Sequence, residues 1–156
     1  LEFRPDRIDR LADGSLAIID YKTGAGADVK AWLDERPRLP QLPAYVQALG
    51  ADRVHAVAFA RVRSGDTGYA GVASDAALFE GLREPGSSGL LKAYGSWDEL
   101  LGAWRRRLEA LAAEYASGEA RLAPNPGKAC EYCHLGALCR IAETDAERAD
   151  EEGGDE

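Results

Sequence analysis

The segment Ile18-Ile19-Asp20-Tyr21-Lys22-Thr23-Gly24 constrains this chain more than any other. An apolar run leads straight into an acid, one spacer and a lysine, and stops at a glycine. In a β-strand, side chains alternate between faces, so Asp20 and Lys22 share one face and Tyr21 takes the other. A carboxylate and an ammonium that close suit metal-dependent attack on a phosphodiester. The acid holds a divalent cation, and the lysine orients or activates the attacking water. The competing reading is a charged strand end with solvated side chains, and the flanking segments decide between the two.

Upstream, Phe3-Arg4-Pro5-Asp6-Arg7-Ile8-Asp9-Arg10-Leu11 is followed by Ala12-Asp13-Gly14. Asp-Gly between two strand-like runs is a hairpin signal. A two-residue loop at Asp13-Gly14 would set Asp6 opposite Tyr21, on the wrong side for Asp20. A three-residue loop from Ala12 to Gly14, with Gly14 left-handed, sets Asp6 opposite Asp20 and Arg4 opposite Lys22. The second register gathers two carboxylates and a lysine, so it is the one expected. Asp9 then points to the opposite face, which leaves Asp6 as the second metal ligand. A slip of one residue would undo this grouping.

Downstream, Pro40 to Gly50 (PQLPAYVQALG) reads as a helix. Pro40 and Pro43 are tolerated in a first turn, and Gly50 is a stop signal. Gln41 and Tyr45 are four residues apart and share a face, beside an apolar stripe of Leu42, Val46 and Leu49. Together they could touch a phosphate or a metal-bound water. On their own they read more readily as two surface polar residues.

An acid in the first strand, then Ile-Ile-Asp-Tyr-Lys-Thr-Gly, then Gln-Leu-Pro-Ala-Tyr, resembles the PD-(D/E)XK nuclease superfamily, in particular its RecB/AddB-like exonuclease domains of bacterial repair helicase–nucleases. Cys130-x2-Cys133-x5-Cys139, followed by Arg140, resembles the C-terminal part of the iron–sulfur staple in the AddB-type subgroup. The likeness runs from about residue 3 to residue 140. It implies a restriction-endonuclease-like α/β fold, a small mixed β-sheet flanked by helices. It also implies Mg²⁺ or Mn²⁺ at Asp6 and Asp20 with the Tyr21 carbonyl as a third ligand, Lys22 acting on the water, and Gln41 and Tyr45 positioning the phosphate. DNA is the implied substrate, a helicase domain or subunit the implied partner, and a [4Fe–4S] cluster on Cys130, Cys133 and Cys139 the implied second cofactor. The fourth cysteine of that staple, and a helix ahead of the hairpin, would lie before Leu1, so the chain reads as a C-terminal fragment in which the cluster site is incomplete. Two departures stand out. Phe3 and Pro5 precede the first acid, where related sequences usually carry a small glycine and an aliphatic residue. Pro5 lacks a ladder donor and belongs on an edge or at a bulge.

Composition bears on partners and compartment. No apolar run approaches the about 18 residues of a membrane span. Three cysteines within ten residues do not make a secreted disulfide framework, which points to a reducing, cytoplasmic location. The net charge is −8, but eight acids and one arginine lie in 143–156, leaving residues 1–142 at −1. Residues 143–156 therefore read as an acidic disordered tail on a domain spanning 1–142, whose electrostatic footprint for DNA is weak.

The remaining segments complete the expected domain. Arg53 to Val62 reads as a buried strand in which His55 is structural. Ser64 to Gly68 is a turn and Tyr69 to Val72 a returning strand. Residues 74–95, with a short helix at Asp75–Leu82, read as a mobile loop. Ser96 and Glu99 form a capping box for a helix to about Ala116, with Trp97, Trp104 and Tyr115 in the core and Gly118 as the stop; Pro124–Gly127 turns the chain toward the cysteines. Three thiols suit zinc or an iron–sulfur cluster, but both usually take four ligands, and neither His134 nor His55 is well placed to be the fourth. Two functions follow: a metal-dependent deoxyribonuclease, exonucleolytic by resemblance, or a nuclease-like DNA-binding or structural module that has lost catalysis.

Overall fold

The computed structural model describes residues 3–24, 26–78, 80–120, 130 and 133–139. The expected tail at 143–156, the turn at 124–127 and Arg140 lie outside the described residues. The chain divides into two compact units, Leu1–Ala113 and Glu114–Glu156.

The first unit is built on a five-stranded mixed sheet in the order β1-β2-β3-β4-β5. Strands β1 (Arg7–Arg10) and β2 (Leu16–Lys22) are antiparallel, with Arg7 opposite Ile19 and Arg10 opposite Leu16. Leu11 N–H donates to the Ser15 carbonyl at 2.8 Å, and Gly14 sits at φ 86°. This is the three-residue loop, and the positive φ is where glycine avoids the Cβ clash. Asp13 accepts from the Ser15 hydroxyl at 2.6 Å and from its N–H at 2.9 Å, which holds the Asp13 carboxyl below its usual range.

The β1–β2 ladder ends at Arg7, so the expected pairing of Arg4 with Lys22 does not form. Pro5 has no N–H to give to a ladder, and the Arg4 carbonyl is taken instead by the Tyr45 hydroxyl at 3.1 Å.

Strand β3 (Val54–Arg63) runs parallel to β2, with Asp20 opposite Phe59 and Lys22 opposite Arg61. A parallel pair needs a crossover. Here it holds a 3₁₀ turn at Val29–Trp32 and helix α1 (Gln41–Leu49). Arg38 clasps that crossover, reaching Asp34 at 2.6 Å and Asp28 at 3.0 Å. Strand β4 (Asp66–Ala73) returns antiparallel to β3, and the two-residue β5 (Leu82–Arg83) pairs parallel with β4. The segment read as a short helix at 75–82 is a 3₁₀ turn at Ala76–Leu78 followed by β5. Gly81, at φ 86° and with its would-be Cβ 2.4 Å from the Tyr69 carbonyl oxygen, breaks any helix there. Farther along, Leu91 and Tyr94 are buried in the core rather than part of a bare loop.

Helix α2 (Trp97–Ser117) opens as its sequence requires. Ser96 Oγ accepts from Glu99 N–H at 3.2 Å, while the Glu99 carboxylate reaches back one residue farther than a capping box, to Gly95 N–H at 2.6 Å. Its buried residues are Leu100, Leu101, Ala103 and Trp104. Tyr115, expected in the core, is 89% exposed. The apolar period continues along the helix, but the buried side chains are confined to its first two turns.

The sheet has two unlike faces. Leu16, Ile18, Val57, Phe59 and Val72 pack with Trp32, Leu42, Val46, Leu100 and Trp104 from the crossover, α1 and α2. Each such aliphatic, fully buried, contributes on the order of 1.5–3 kcal/mol. The opposite face is small and alanine-rich: Ala17, Ala56, Ala58 and Ala73, with Leu82. In the second unit, Cys133 N–H donates to the Cys130 carbonyl at 3.2 Å, and Cys139 ends the four-residue helix α3 (Gly136–Cys139).

Candidate active site

Asp20 and Lys22 lie on the helix-covered face, at the end of β2. Asp20 is 4% exposed, the one buried charged residue among those described. Its Oδ2 lies 2.7 Å from Lys22 Nζ, yet makes no hydrogen bond of good geometry. The Lys22 ammonium also stands 5.3 Å from the centre of the Phe59 ring, within reach of a cation–π interaction. Phe59 is opposite Asp20 in the parallel ladder, so one strand supplies the charges and its neighbour the floor beneath them. Sequence reading did not single out Phe59; its place follows from the β2–β3 register.

Asp6 approaches from the segment ahead of β1. Its Oδ2 accepts from the Tyr21 N–H at 3.0 Å, which ties the carboxylate to the peptide joining Asp20 and Tyr21. The ladder stops one residue short of Asp6, at Arg7 opposite Ile19, so this side-chain hydrogen bond, not a strand pairing, holds Asp6 beside the Asp20–Tyr21 peptide. Asp9 is opposite Ala17, on the alanine-rich face, where it takes Arg7 Nε at 2.8 Å. Arg7 also donates to the Tyr21 hydroxyl at 3.2 Å. Asp9, and then Tyr21, push the Arg7 guanidinium above its ordinary range. The outer face thus has its own charge network, separate from Asp20 and Lys22.

Gln41 and Tyr45 are joined as their spacing suggests, but with different partners. Gln41 Nε2 donates to Tyr45 Oη at 2.9 Å, and Tyr45 Oη donates to the Arg4 carbonyl at 3.1 Å. Tyr45 is buried and its ring meets Phe3 edge-on at 5.7 Å. Its hydroxyl therefore holds the main chain two residues before Asp6. Gln41 is exposed; with Lys22, Trp32, Leu39, Leu42 and Phe59 it lines one small cleft. His55, on β3, has Nδ1 3.7 Å from Asp13 Oδ2 at the hairpin turn.

A divalent cation fits this donor set. Asp20 Oδ2 is a buried carboxylate oxygen without a hydrogen bond, and Asp6 supplies a second carboxylate. Among the described residues no group of three or more His, Cys, Asp or Glu converges as a metal cage. Two carboxylates are nevertheless a usual protein share for Mg²⁺, which keeps waters and takes substrate phosphate oxygens for the rest. Cys130, Cys133 and Cys139 are free thiols, the first two exposed.

A buried acid and a lysine thus stand together at the end of β2, and the crossover helix α1 carries Gln41 and Tyr45. The sequence model of the PD-(D/E)XK nuclease superfamily matches residues 1–140, and the chain belongs to that superfamily. Its members are generally nucleases. No curated protein matches the chain, and no solved structure matches it. Among the described residues, no helix is long and apolar enough to cross a membrane.

Proposed function

We propose that this protein is a metal-dependent deoxyribonuclease, with Asp6, Asp20 and Lys22 as its catalytic group. The observation that carries the reading is the contact between buried Asp20 and Lys22 at 2.7 Å, on a face where Asp6 is tied to the next peptide. Asp6 and Asp20, with the Tyr21 carbonyl, would hold Mg²⁺ or Mn²⁺. When bound, the ion would polarise the phosphate and acidify a water. In the hydrolysis a water oxygen bonds to phosphorus and one P–O ester bond breaks. Lys22 would orient that water and donate to the phosphate oxygen on which charge develops. Gln41, on the same cleft, positions the phosphate. Tyr45 steadies Gln41 and the chain entering β1.

Likeness to RecB/AddB-like domains extends the proposal to exonucleolytic cleavage, in the cytoplasm, within a DNA repair or recombination complex that includes a helicase. The cysteines do not by themselves fit the cluster this likeness implies, because it takes four thiolates and the sequence has three. Iron, sulfide and zinc analysis of purified protein would establish what they hold.

The deciding experiment is cleavage of end-labelled DNA in Mg²⁺ or Mn²⁺ by the wild type and by Lys22→Ala. The expected result is cleavage by the first and a loss on the order of 10²-fold or more in the second. A wild type that binds DNA without cutting it would instead support the second reading, a nuclease-like DNA-binding module. The early end of the β1 ladder at Arg7 is the observation favouring that alternative.

A further inference from the structure

We infer that Lys22, Arg61 and Arg63 form a phosphate track that leads from the Asp20–Lys22 site along β3 and holds the neighbouring phosphates of the substrate strand. The inference rests on the nuclease reading above and names where its substrate backbone lies.

The two parallel strands end unevenly. Strand β2 stops at Lys22, opposite Arg61, while β3 runs on to Arg63. Alternation places Phe59, Arg61 and Arg63 on the face that carries Asp20 and Lys22. Phe59 is buried in the core, whereas the Arg61 and Arg63 side chains are 38% and 51% exposed. Core packing thus gives way to a row of cations at the carboxyl end of a parallel pair, the end at which ligands of open α/β sheets bind. Residues two apart on a strand stand about 6.6 Å from each other, comparable with the separation of successive phosphates on one nucleic-acid strand.

One acid pairs with these arginines, while Glu80 lines the same cleft as Arg61 without an ion pair to it among the described residues. Asp66 reaches Arg61 Nη1 at 3.2 Å and Arg63 Nη2 at 3.1 Å, so two cations share a single carboxylate. Arg61 Nε makes no hydrogen bond, so the pair is not a two-pronged fork. The guanidinium lies over Gly68, where a Cβ would stand 3.6 Å from Nη2. Exposed pairs of this kind are weak, and a phosphate with two charged oxygens can displace one.

The test uses the whole chain and a fluorescein-labelled oligothymidylate. Binding is titrated in EDTA at several NaCl concentrations, and cleavage is measured separately in Mg²⁺. Arg61→Gln and Arg63→Gln should each weaken binding several-fold and flatten the plot of log Kd against log salt by about 0.7, the share of one single-strand phosphate contact. Arg61→Lys should retain the slope. Asp66→Ala should tighten binding, because it frees both guanidinium groups. Unchanged slopes in both Gln variants of a wild type that cleaves would overturn the track alone, as would Asp66→Ala weakening binding as the Gln variants do, the pattern of a merely structural hairpin. A wild type that binds but does not cleave defeats the nuclease reading, and the slopes still decide the track. A wild type that does not bind the probe refutes both.

Discussion

Asp20 Oδ2 lies 2.7 Å from Nζ of Lys22, two residues along the same strand, yet the two side chains differ in exposure, 6% against 29%. The carboxylate has left water while its partner keeps one foot in it. Breaking a fully buried pair costs about 3–5 kcal/mol, and partial exposure of Lys22 reduces that. Lys22→Ala is therefore expected to lower stability by about 2 kcal/mol in metal-free urea unfolding. The double variant Asp20→Ala/Lys22→Ala should recover much of the loss, since no buried charge is then stranded. Additive single effects in this cycle would mean that the contact carries no coupling.

The same imbalance predicts a response to metal. A cation that binds the native site and not the unfolded chain stabilises by RT ln(1 + [L]/Kd), about 1.4 kcal/mol at ten times Kd. Mg²⁺ or Mn²⁺ should raise the midpoint of thermal unfolding of the wild type and leave Asp20→Asn unmoved. An equal rise in the variant would place the ion elsewhere on the chain.

Much of this site was legible in the sequence because strand alternation and hairpin loop length are local rules. Together they put Asp20 and Lys22 on one face, Asp9 on the other, and Gly14 in its left-handed turn. What was not legible depends on contacts far apart in the chain. The β2–β3 register brings Phe59 under Lys22 and Arg61 beside it, and no local pattern specifies a parallel register. The spacing of Gln41 and Tyr45 is visible in the sequence, but the Arg4 carbonyl that accepts from Tyr45 is 41 residues away and is not. Tyr115 misled for a related reason: apolar spacing reveals a helix face, not how far the layer beneath it extends.

Close approach of β3 to β4 gives a prediction about packing. A Cβ on Gly71 would stand 2.1 Å from the Val57 carbonyl oxygen and 2.7 Å from the Ala58 Cα. Both are backbone atoms of a central strand and cannot rotate aside. Gly71→Ala should destabilise by about 3 kcal/mol or more, at the upper end of overpacking costs. Chemical denaturation checks this, and a loss below ~1 kcal/mol would show that the strands separate readily.

The hairpin turn should leave a trace in acid. Hydrogen bonds from Ser15 depress the Asp13 carboxyl below its ordinary value. A depressed carboxyl stabilises the fold above its unfolded pKa, and that contribution is lost as pH falls through the native value. The wild type and Asp13→Asn should therefore differ in urea midpoint at neutral pH and converge at the acid end. A difference that is flat with pH would mean that the carboxylate charge is not what the turn uses.

Tyr45→Phe separates positioning from contact with substrate. It removes only the hydroxyl that accepts from Gln41 and donates to the Arg4 carbonyl, while the ring can keep its edge contact with Phe3. The lost hydrogen bond should cost about 1 kcal/mol of stability. If the hydroxyl steadies the approach to Asp6, the variant should also need more Mg²⁺ for half-maximal cleavage, with KM for DNA little changed. If instead Tyr45 touches the phosphate, KM for DNA should rise and the metal requirement should stay fixed. Metal titrations at saturating DNA, paired with DNA titrations at saturating metal, distinguish the two. The bond to Arg4, two residues from Asp6, favours the first outcome.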